Sequence, residues 1–283
     1  MGKEKAIIEN IEKVLYEKFS SEDKSKLWEN FYIKEQIEKR KNGAQFSLSD
    51  HVRAMVYSLL SSFNEWNKIE FHKDEIDEIF CRFDIGELLK KLKDNSDIFV
   101  VKLKNIKCGT QSTGRQIAVL SDNIKMLQKI QEKGSGDIDT FYKAQINTSR
   151  SGEHPYKKLI QMLSASNSGY KLKQMGIALV AEYLRNVGYD ISKPDRHIVR
   201  FLGPNGLEDH SYKNDASDTA RWKAFEIIRN YATKTNCSEA YIDYLFWAYC
   251  ANKYGEICTK KTPKCTICKI RNYCKYDQKE RNC

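Results

Sequence analysis

Four cysteines lie within seventeen residues near the end of the chain, and no other feature constrains the fold as strongly. In the stretch CTKKTPKCTICKIRNYC, six, two and five residues separate Cys258, Cys265, Cys268 and Cys274. Thiolates are good ligands for soft metals, and a loop this short can place four of them around one site. Structural zinc usually takes two close cysteine pairs, whereas an iron–sulfur cluster takes one cysteine for each iron corner. The single close pair favours a cluster and leaves zinc as the alternative.

Composition and the start of the chain indicate a protein of the cytoplasm. The sequence has 283 residues, of which 41% are hydrophobic and 30% charged, as in soluble globular proteins. No apolar run could span a bilayer, and the start MGKEKAIIENIEKV lacks the apolar stretch of a signal peptide. We therefore expect no membrane contact and a cytoplasmic location, associated with the nucleoid if the source is bacterial.

Reduced thiols are expected in that compartment, so the nine cysteines favour metal ligation over disulfides. Five of them show no ligand spacing, and we expect most of these to be buried apolar thiols: Cys81, Cys108, Cys237, Cys250 and Cys283.

The charge of the chain is positive and unevenly distributed. The net charge is +10, and residues 254–283 contain eight Lys or Arg against three Asp or Glu. A lysine-rich solvated surface would explain the net charge by itself. A basic cluster around a cysteine-rich loop, however, suits a polyanion such as nucleic acid.

Apolar residues recur with helical spacing, and long alternating strand-like stretches are scarce, which predicts an all-α protein. Three stripes follow this spacing: Val52, Met55, Val56 and Leu59; Ile177, Val180, Ala181 and Leu184; Ile242, Leu245, Phe246 and Tyr249. Ser47 and Asp50 predict a capping box at the first helix, and Gly188 and Gly255 predict the ends of the other two. The stretch DIFVVKLK at 97–104 fits either a short strand or a buried helix end.

The cysteine spacing resembles the 4Fe–4S loop of the endonuclease III family of DNA glycosylases, and YLFWAYCANKYGEIC resembles the helix that leads into that loop. Four further segments resemble the family in its own order, from about residue 46 to 275: SLSDHVRAMVYSLLSSF, IKCGTQSTGRQIAVLSDNIKML with GSGDI, YKLKQMGIALVAEYLRNVG, and KPDRHIVRFLG. The chain is thereby identified as a member of the helix–hairpin–helix (HhH-GPD) glycosylase superfamily, on its endonuclease III-like branch. The resemblance implies a 4Fe–4S cluster held by the four cysteines.

The resemblance implies an enzyme of base excision repair that removes a flipped base from double-stranded DNA. Breaking the glycosidic bond develops positive charge on the sugar, which a fixed carboxylate stabilises. Asp195, in the segment that resembles the family's catalytic Val-Asp-Thr-His, is the candidate. An Asp at this place would also serve as an ordinary helix N-cap, and His197 is expected to be structural.

The family's Leu-Pro-Gly-x-Gly hairpin corresponds to residues 172–176, where only the second glycine, Gly176, is kept. Backbone N–H groups beside it would bind a DNA phosphate, with added charge from Lys171 and Lys173. The alternative is an ordinary helix start with a packing glycine.

Bifunctional members of the family carry a Schiff-base lysine about eighteen residues before the catalytic aspartate. Here that place holds Ile177 or Ala178, neither of which can attack a sugar. We therefore predict a monofunctional, hydrolytic glycosylase. Two alternatives stay open: a bifunctional glycosylase and abasic-site lyase, and a non-catalytic iron–sulfur DNA-binding protein.

By resemblance, Phe63 and Asn64 would fill the gap left by the flipped base, although Phe63 could instead continue the buried stripe of its helix. By resemblance, the cations of the cluster loop would be Lys260, Lys261, Lys264, Lys269 and Arg271. Lys260, Lys261 and Lys264 are the candidates for phosphate contacts, and simple solvation of these side chains is the alternative.

The resemblance implies two lobes, with DNA in the cleft between them. Residues 45–188 would form a helical barrel with the hairpin, and 1–44 plus 189–283 a second lobe with Asp195 and the cluster loop. We expect a monomer whose partner is duplex DNA with a damaged or modified base. The segment between Asp195 and Cys258, which includes GPNGLEDHSYKNDASDTARW, is longer than a compact member of the family requires and fits an insertion, and the sequence does not indicate a role for residues 205–236. Only nine residues follow Cys274, so the sequence argues against the adenine-mismatch enzymes, which have an additional domain there.

Overall fold

The computed structural model describes residues 2–146, 148, 153–207, 209–212 and 217–276, and no β-strand occurs in this part of the chain. The helices in chain order are α1 (Lys3–Glu22), α2 (Tyr32–Lys41), α3 (Leu48–Leu60), α4 (Trp66–Phe71), α5 (Lys73–Ile79), α6 (Ile85–Asn95), α7 (Asp97–Asn105), α8 (Thr113–Ala118), α9 (Leu120–Lys133), α10 (Ile138–Ile146), α11 (Lys157–Ser164), α12 (Ile177–Asn186), α13 (Arg196–Leu202), α14 (Asp218–Thr235) and α15 (Glu239–Cys250). None of the helices described is both long and apolar enough to cross a bilayer. The prediction of an all-α protein is confirmed.

The chain divides into two compact units. The terminal unit contains Met1–Lys39 and Gly188–Cys283, and the central unit contains Arg40–Val187. The sequence-based division into 45–188 and 1–44 with 189–283 runs close to these bounds.

The terminal unit is built around α15, whose residues are almost all buried. Helices α1, α13 and α14 each pack against it. Phe201 of α13 lies on Phe246 of α15, with ring centroids 4.9 Å apart. Burying aromatic side chains of this size contributes roughly 1.5–3 kcal/mol each. This core fixes α13 and the end of α15, which hold Asp195 and the cysteine loop.

The central unit is built around the packing of α12 on α3. Its core contains a buried polar network: His51 Nδ1 lies 2.6 Å from the Tyr183 hydroxyl, which lies 2.9 Å from that of Tyr142. Asp139 pairs with Arg40 at 2.9 Å and lies 3.7 Å from His51 Nε2. Burial lowers the pKa of His51 to about 4, so its imidazole is neutral at pH 7.

The local sequence predictions hold in most places. Every residue of the three predicted apolar stripes is buried. The capping box is confirmed, because Ser47 accepts from the Asp50 N–H while the Asp50 carboxylate accepts from the Ser47 N–H. Gly188 directly follows the end of α12 in a left-handed conformation, with φ +80°.

Two local predictions need correction. The stretch at 97–104 lies in α7 and buries Phe99 and Leu103, which are four residues apart, so the strand alternative is wrong. Helix α15 ends at Cys250, before Gly255, because Ala251 already has extended dihedral angles. Gly255 is needed for close packing instead: a Cβ there would lie 2.9 Å from the Ala248 carbonyl oxygen.

Candidate functional site

Asp195 is the N-cap of α13. Its Oδ1 accepts hydrogen bonds from the backbone N–H groups of His197 at 2.7 Å and Ile198 at 3.1 Å. The helix-cap interpretation is therefore confirmed for this oxygen. In the described part of the chain, no hydrogen bond reaches Oδ2, and the residue is partly exposed. The carboxylate is thus fixed through one oxygen and leaves the other available.

The segment that leads to Asp195 is attached to α15 by two carboxylates that sequence reasoning missed. Asp243, which is 2% exposed, accepts the Lys193 N–H at 2.8 Å, and the Lys193 carbonyl accepts the Asp195 N–H at 2.7 Å. Asp190 accepts the Ala240 N–H at 3.0 Å. A single carboxylate inside the apolar run AYIDYLFWAYC was the sequence signal for Asp243, because a buried charge needs a partner.

His197 follows Asp195 on α13. Burial lowers the pKa of its imidazole despite the nearby Asp195 carboxylate. Its Nδ1 is buried and has no hydrogen-bond partner among the described residues. The side chain is therefore a neutral group packed at the start of the helix.

All four cysteines of the loop border one cavity of about 250 Å³. The loop is attached to α15 at its first cysteine, since the Tyr249 carbonyl accepts the N–H groups of Ile257 and Cys258. Cys265 begins a short 3-10 helix, and two such helices end directly before Cys268 and Cys274. The cavity exceeds many times over the space that one water molecule occupies.

The walls of this cavity supply polar contacts to the loop. Arg200 Nη2 donates to the Cys258 carbonyl at 2.7 Å, and the Tyr249 hydroxyl donates to Cys268 Sγ at 3.3 Å. A hydrogen bond with Cys250 and the charge of Arg200 lower the pKa of Cys258 to about 7. Burial raises the pKa of Cys274 to about 11.

Cys250 is buried, as are Cys81 and Cys108, whereas Cys237 is partly exposed. Cys283 lies outside the described residues. The expectation of buried thiols therefore holds for three of these positions, and Cys250 is in addition a direct neighbour of Cys258.

The hairpin of residues 165–176 joins α11 to α12. Gln174 has a φ of +61° at the place where the family has its first glycine. Gly176 is the N-cap of α12 with φ −90°, and no atom lies within 4 Å of the position that a Cβ would occupy. Neither its backbone conformation nor its packing requires glycine, so the packing-glycine alternative is wrong.

Both lysines of the hairpin have partners within the chain. Lys173 Nζ forms an ion pair with Asp122 at 2.7 Å, and its backbone N–H donates to Asn123 Oδ1. Lys171 Nζ donates to the Ser164 carbonyl. Both positive charges therefore lie at the hairpin, and their bonds to Ser164 and Asp122 stabilise its conformation.

Phe63 follows α3 with a φ of +59° and is 62% exposed. The alternative that it continues the buried stripe is wrong, because the chain turns away directly after the helix. The Asn64 amide bonds to the Cys108 carbonyl and to the Glu65 N–H. Phe63 is therefore presented to solvent, whereas Asn64 is held in the turn.

Four lysines of the cysteine loop are exposed: Lys260, Lys261, Lys264 and Lys269. Lys264 lies 3.9 Å from Glu256, and Lys260 borders the cavity. Neither Lys260 nor Lys261 has an ion-pair partner in the part of the chain that the structure describes.

At the position that corresponds to the Schiff-base lysine of bifunctional glycosylases, Ile177 is the buried first residue of α12, and Ala178 follows it.

The sequence matches no model of a protein family and no curated protein. The crystal structure of Methanocaldococcus jannaschii 8-oxoguanine glycosylase/lyase in complex with 15mer DNA containing 8-oxoguanine matches 84% of this chain and 95% of its own, with a TM-score of 0.51 and 19% identity. The crystal structure of Methanocaldococcus jannaschii 8-oxoguanine DNA glycosylase matches 85% of this chain and 92% of its own, with a TM-score of 0.49 and 20% identity. The first likeness shows that the chain has the all-helical fold of the helix–hairpin–helix DNA glycosylases.

Proposed function

We propose that the protein is a DNA glycosylase of base excision repair and that Asp195 is its catalytic residue. One observation carries the proposal: the Asp195 carboxylate is fixed by two backbone N–H groups at the start of α13 and keeps Oδ2 available. The chain shares its fold with a glycosylase/lyase crystallised with DNA that contains a damaged base.

The chemistry follows from that carboxylate. When the bond between base and deoxyribose breaks, positive charge develops on the sugar. A carboxylate whose position is already fixed stabilises this charge without reorganisation and can orient a water molecule toward the sugar carbon. Positioned groups of this kind contribute about 10²- to 10⁴-fold to the rate.

DNA binding is supported by three exposed features. The N-terminal N–H groups of α12 are accessible at Gly176 and suit a phosphate. Phe63 is exposed on a turn and can stack into the space that a flipped base leaves. Lys260 and Lys261 can neutralise phosphates beside the cysteine loop, with a smaller contribution from Lys264, which lies near Glu256.

The second candidate is a bifunctional glycosylase and lyase, since the structural neighbour is described as a glycosylase/lyase. Ile177 and Ala178 support the hydrolytic, monofunctional enzyme, because neither offers an amine. The two candidates differ in whether a covalent intermediate with DNA forms.

We further propose that Cys258, Cys265, Cys268 and Cys274 hold a 4Fe–4S cluster, which places the protein on the endonuclease III-like branch. The four cysteines border one cavity with room for several atoms, which supports this proposal. Among the described residues, no group of three or more Cys, His, Asp or Glu is gathered closely enough to be recognised as the site of a single metal ion. When bound, the cluster would fold the basic loop. We propose that the enzyme acts in the cytoplasm as a monomer.

The test is a panel of duplexes that each contain one damaged or modified base, with 8-oxoguanine among them, scored for alkali-labile sites. We expect base release from at least one duplex by the native protein and none by Asp195→Asn. Borohydride should trap no protein–DNA adduct, whereas a trapped adduct would establish the lyase candidate. If the protein binds DNA but releases no base from any duplex, a non-catalytic binding protein is the better description.

A further inference from the structure

Tyr249 contacts the cysteine loop at two separate points. Its backbone carbonyl accepts the Ile257 N–H at 3.0 Å and the Cys258 N–H at 3.3 Å. Its hydroxyl donates to Cys268 Sγ at 3.3 Å, and its side chain borders the cavity. One residue of α15 is thus bonded both to the backbone of the first cysteine and to the sulfur of the third.

The phenol ring is held firmly in this position. Tyr249 is fully buried and packs edge-on against Phe201 with ring centroids 6.3 Å apart. It lies in the last turn of α15, next to Cys250, the last residue of that helix. Because packing fixes the ring, the hydroxyl stays within hydrogen-bond distance of Cys268 Sγ, and a buried phenol normally keeps such a partner.

A hydrogen bond to a ligand sulfur changes the electronic properties of an iron–sulfur cluster. The donor withdraws charge from the thiolate and stabilises the more negative, reduced state, which raises the reduction potential. The hydroxyl of Tyr249 is a neutral donor, so it does this without adding a charge to the site.

We propose that Tyr249 is a positioning residue for the cluster, which raises its reduction potential through the bond to Cys268. This inference rests on the proposed 4Fe–4S cluster but does not depend on which base the enzyme removes. It assigns to α15 a role in the properties of the cofactor as well as in the core.

Tyr244 provides a matched control on the same helix. It is also buried, and its hydroxyl also donates to a single acceptor, the Lys26 carbonyl at 2.5 Å, away from the cysteines. Tyr249→Phe and Tyr244→Phe each remove one buried hydroxyl from α15. Only the first removes a donor to a cysteine sulfur.

The experiment measures iron content, visible absorption, reduction potential and Fe–S stretching frequencies in the native protein and both variants. For Tyr249→Phe we expect about tenfold less favourable one-electron reduction, which corresponds to a shift of about 59 mV to lower potential. The Fe–S frequencies should also change. Tyr244→Phe should match the native protein in both.

Equal potentials and frequencies in Tyr249→Phe and the native protein, with equal iron content, would overturn the inference and leave the cluster proposal intact. Native protein that binds no iron would overturn both. If Tyr249→Phe fails to fold, a ring-fluorinated tyrosine at 249, a stronger donor of nearly the same shape, should raise the potential. An unchanged potential there would also contradict the proposal.

Discussion

The two oxygens of Asp195 have different surroundings. Oδ1 accepts two backbone N–H groups at the start of α13, whereas no hydrogen bond reaches Oδ2 from the described residues. Capping and catalysis are therefore compatible in one side chain, since the cap fixes the orientation of the carboxylate.

This separation predicts different effects for two substitutions at position 195. Asn is as good an N-cap as Asp, so Asp195→Asn should leave the free energy of unfolding within a few tenths of a kcal/mol, while Asp195→Ala should lower it by about 1 kcal/mol. Both should reduce base release by about 10²-fold or more, because neither carries a negative charge. Denaturant unfolding and single-turnover base release measure the two effects. An active Asp195→Asn variant would contradict the catalytic assignment.

At the scale of elements, the hairpin before α12 differs from the family at one of its two glycines. Gln174 keeps the left-handed conformation that glycine adopts without strain, at a cost of about 1 kcal/mol. Gly176 has no such constraint, and its Cβ position is open. The close approach of a ligand to the backbone, as proposed above, would account for a glycine that the folded chain does not require.

Gly176→Ala should therefore affect stability and DNA binding in opposite directions. Alanine at an unstrained position stabilises a protein by about 0.4–1 kcal/mol through the unfolded state. The added methyl group would occupy the space through which a phosphate approaches the N–H groups of α12, so affinity for duplex DNA should fall. Thermal unfolding and DNA titration of the same variant measure both effects. Unchanged affinity would show that the phosphate does not bind at this helix start.

The elements that could be predicted are those that local sequence determines. Helical spacing sufficed for the three buried stripes, and Ser47 with Asp50 sufficed for a cap. The end of α15 could not be predicted from Gly255, because this glycine is required by close packing on the Ala248 carbonyl oxygen and not by the end of the helix. The exposure of Phe63 could not be predicted either, because it depends on a positive φ at Phe63 itself, where the sequence has no glycine to indicate a turn.

The site was predictable to a similar extent. The cysteine spacing indicated one site, and the four side chains border one cavity. The role of Asp243 could not be predicted, since it depends on the Lys193 N–H that only the folded chain brings to it. Tyr249 was placed in an apolar stripe, and nothing in the stripe indicates that its hydroxyl reaches Cys268.

At the scale of the whole molecule, the buried network of the central unit predicts how stability depends on pH. Folded His51 stays neutral down to about pH 4, because burial outweighs the attraction of Asp139. The same imidazole in the unfolded chain binds a proton below about pH 6.5. The unfolded state therefore binds more protons between these values, and this contribution to stability is present above pH 6.5 and lost as the pH falls to 4.

His51→Gln removes the titrating group and leaves an amide that can bond to Tyr183. The native protein should lose about 3 kcal/mol more than this variant between pH 7 and pH 4. Urea unfolding of both proteins at several pH values measures the difference. If the free energies of unfolding of the two proteins depend on pH in the same way, the pKa of His51 is not lowered by its burial.

The net charge of +10 predicts salt-dependent binding to DNA, and the location of the charges predicts which lysines contribute. Lys260→Gln with Lys261→Gln should reduce the slope of log affinity against log salt by up to about 2, because each phosphate contact contributes about 0.9. Lys90→Gln with Lys93→Gln on α6 is the matched control, since it removes the same charge from exposed positions on a helix of the central unit. If both pairs change the slope equally, the attraction comes from overall charge. A larger change for the loop pair would place phosphates beside the cysteine cavity.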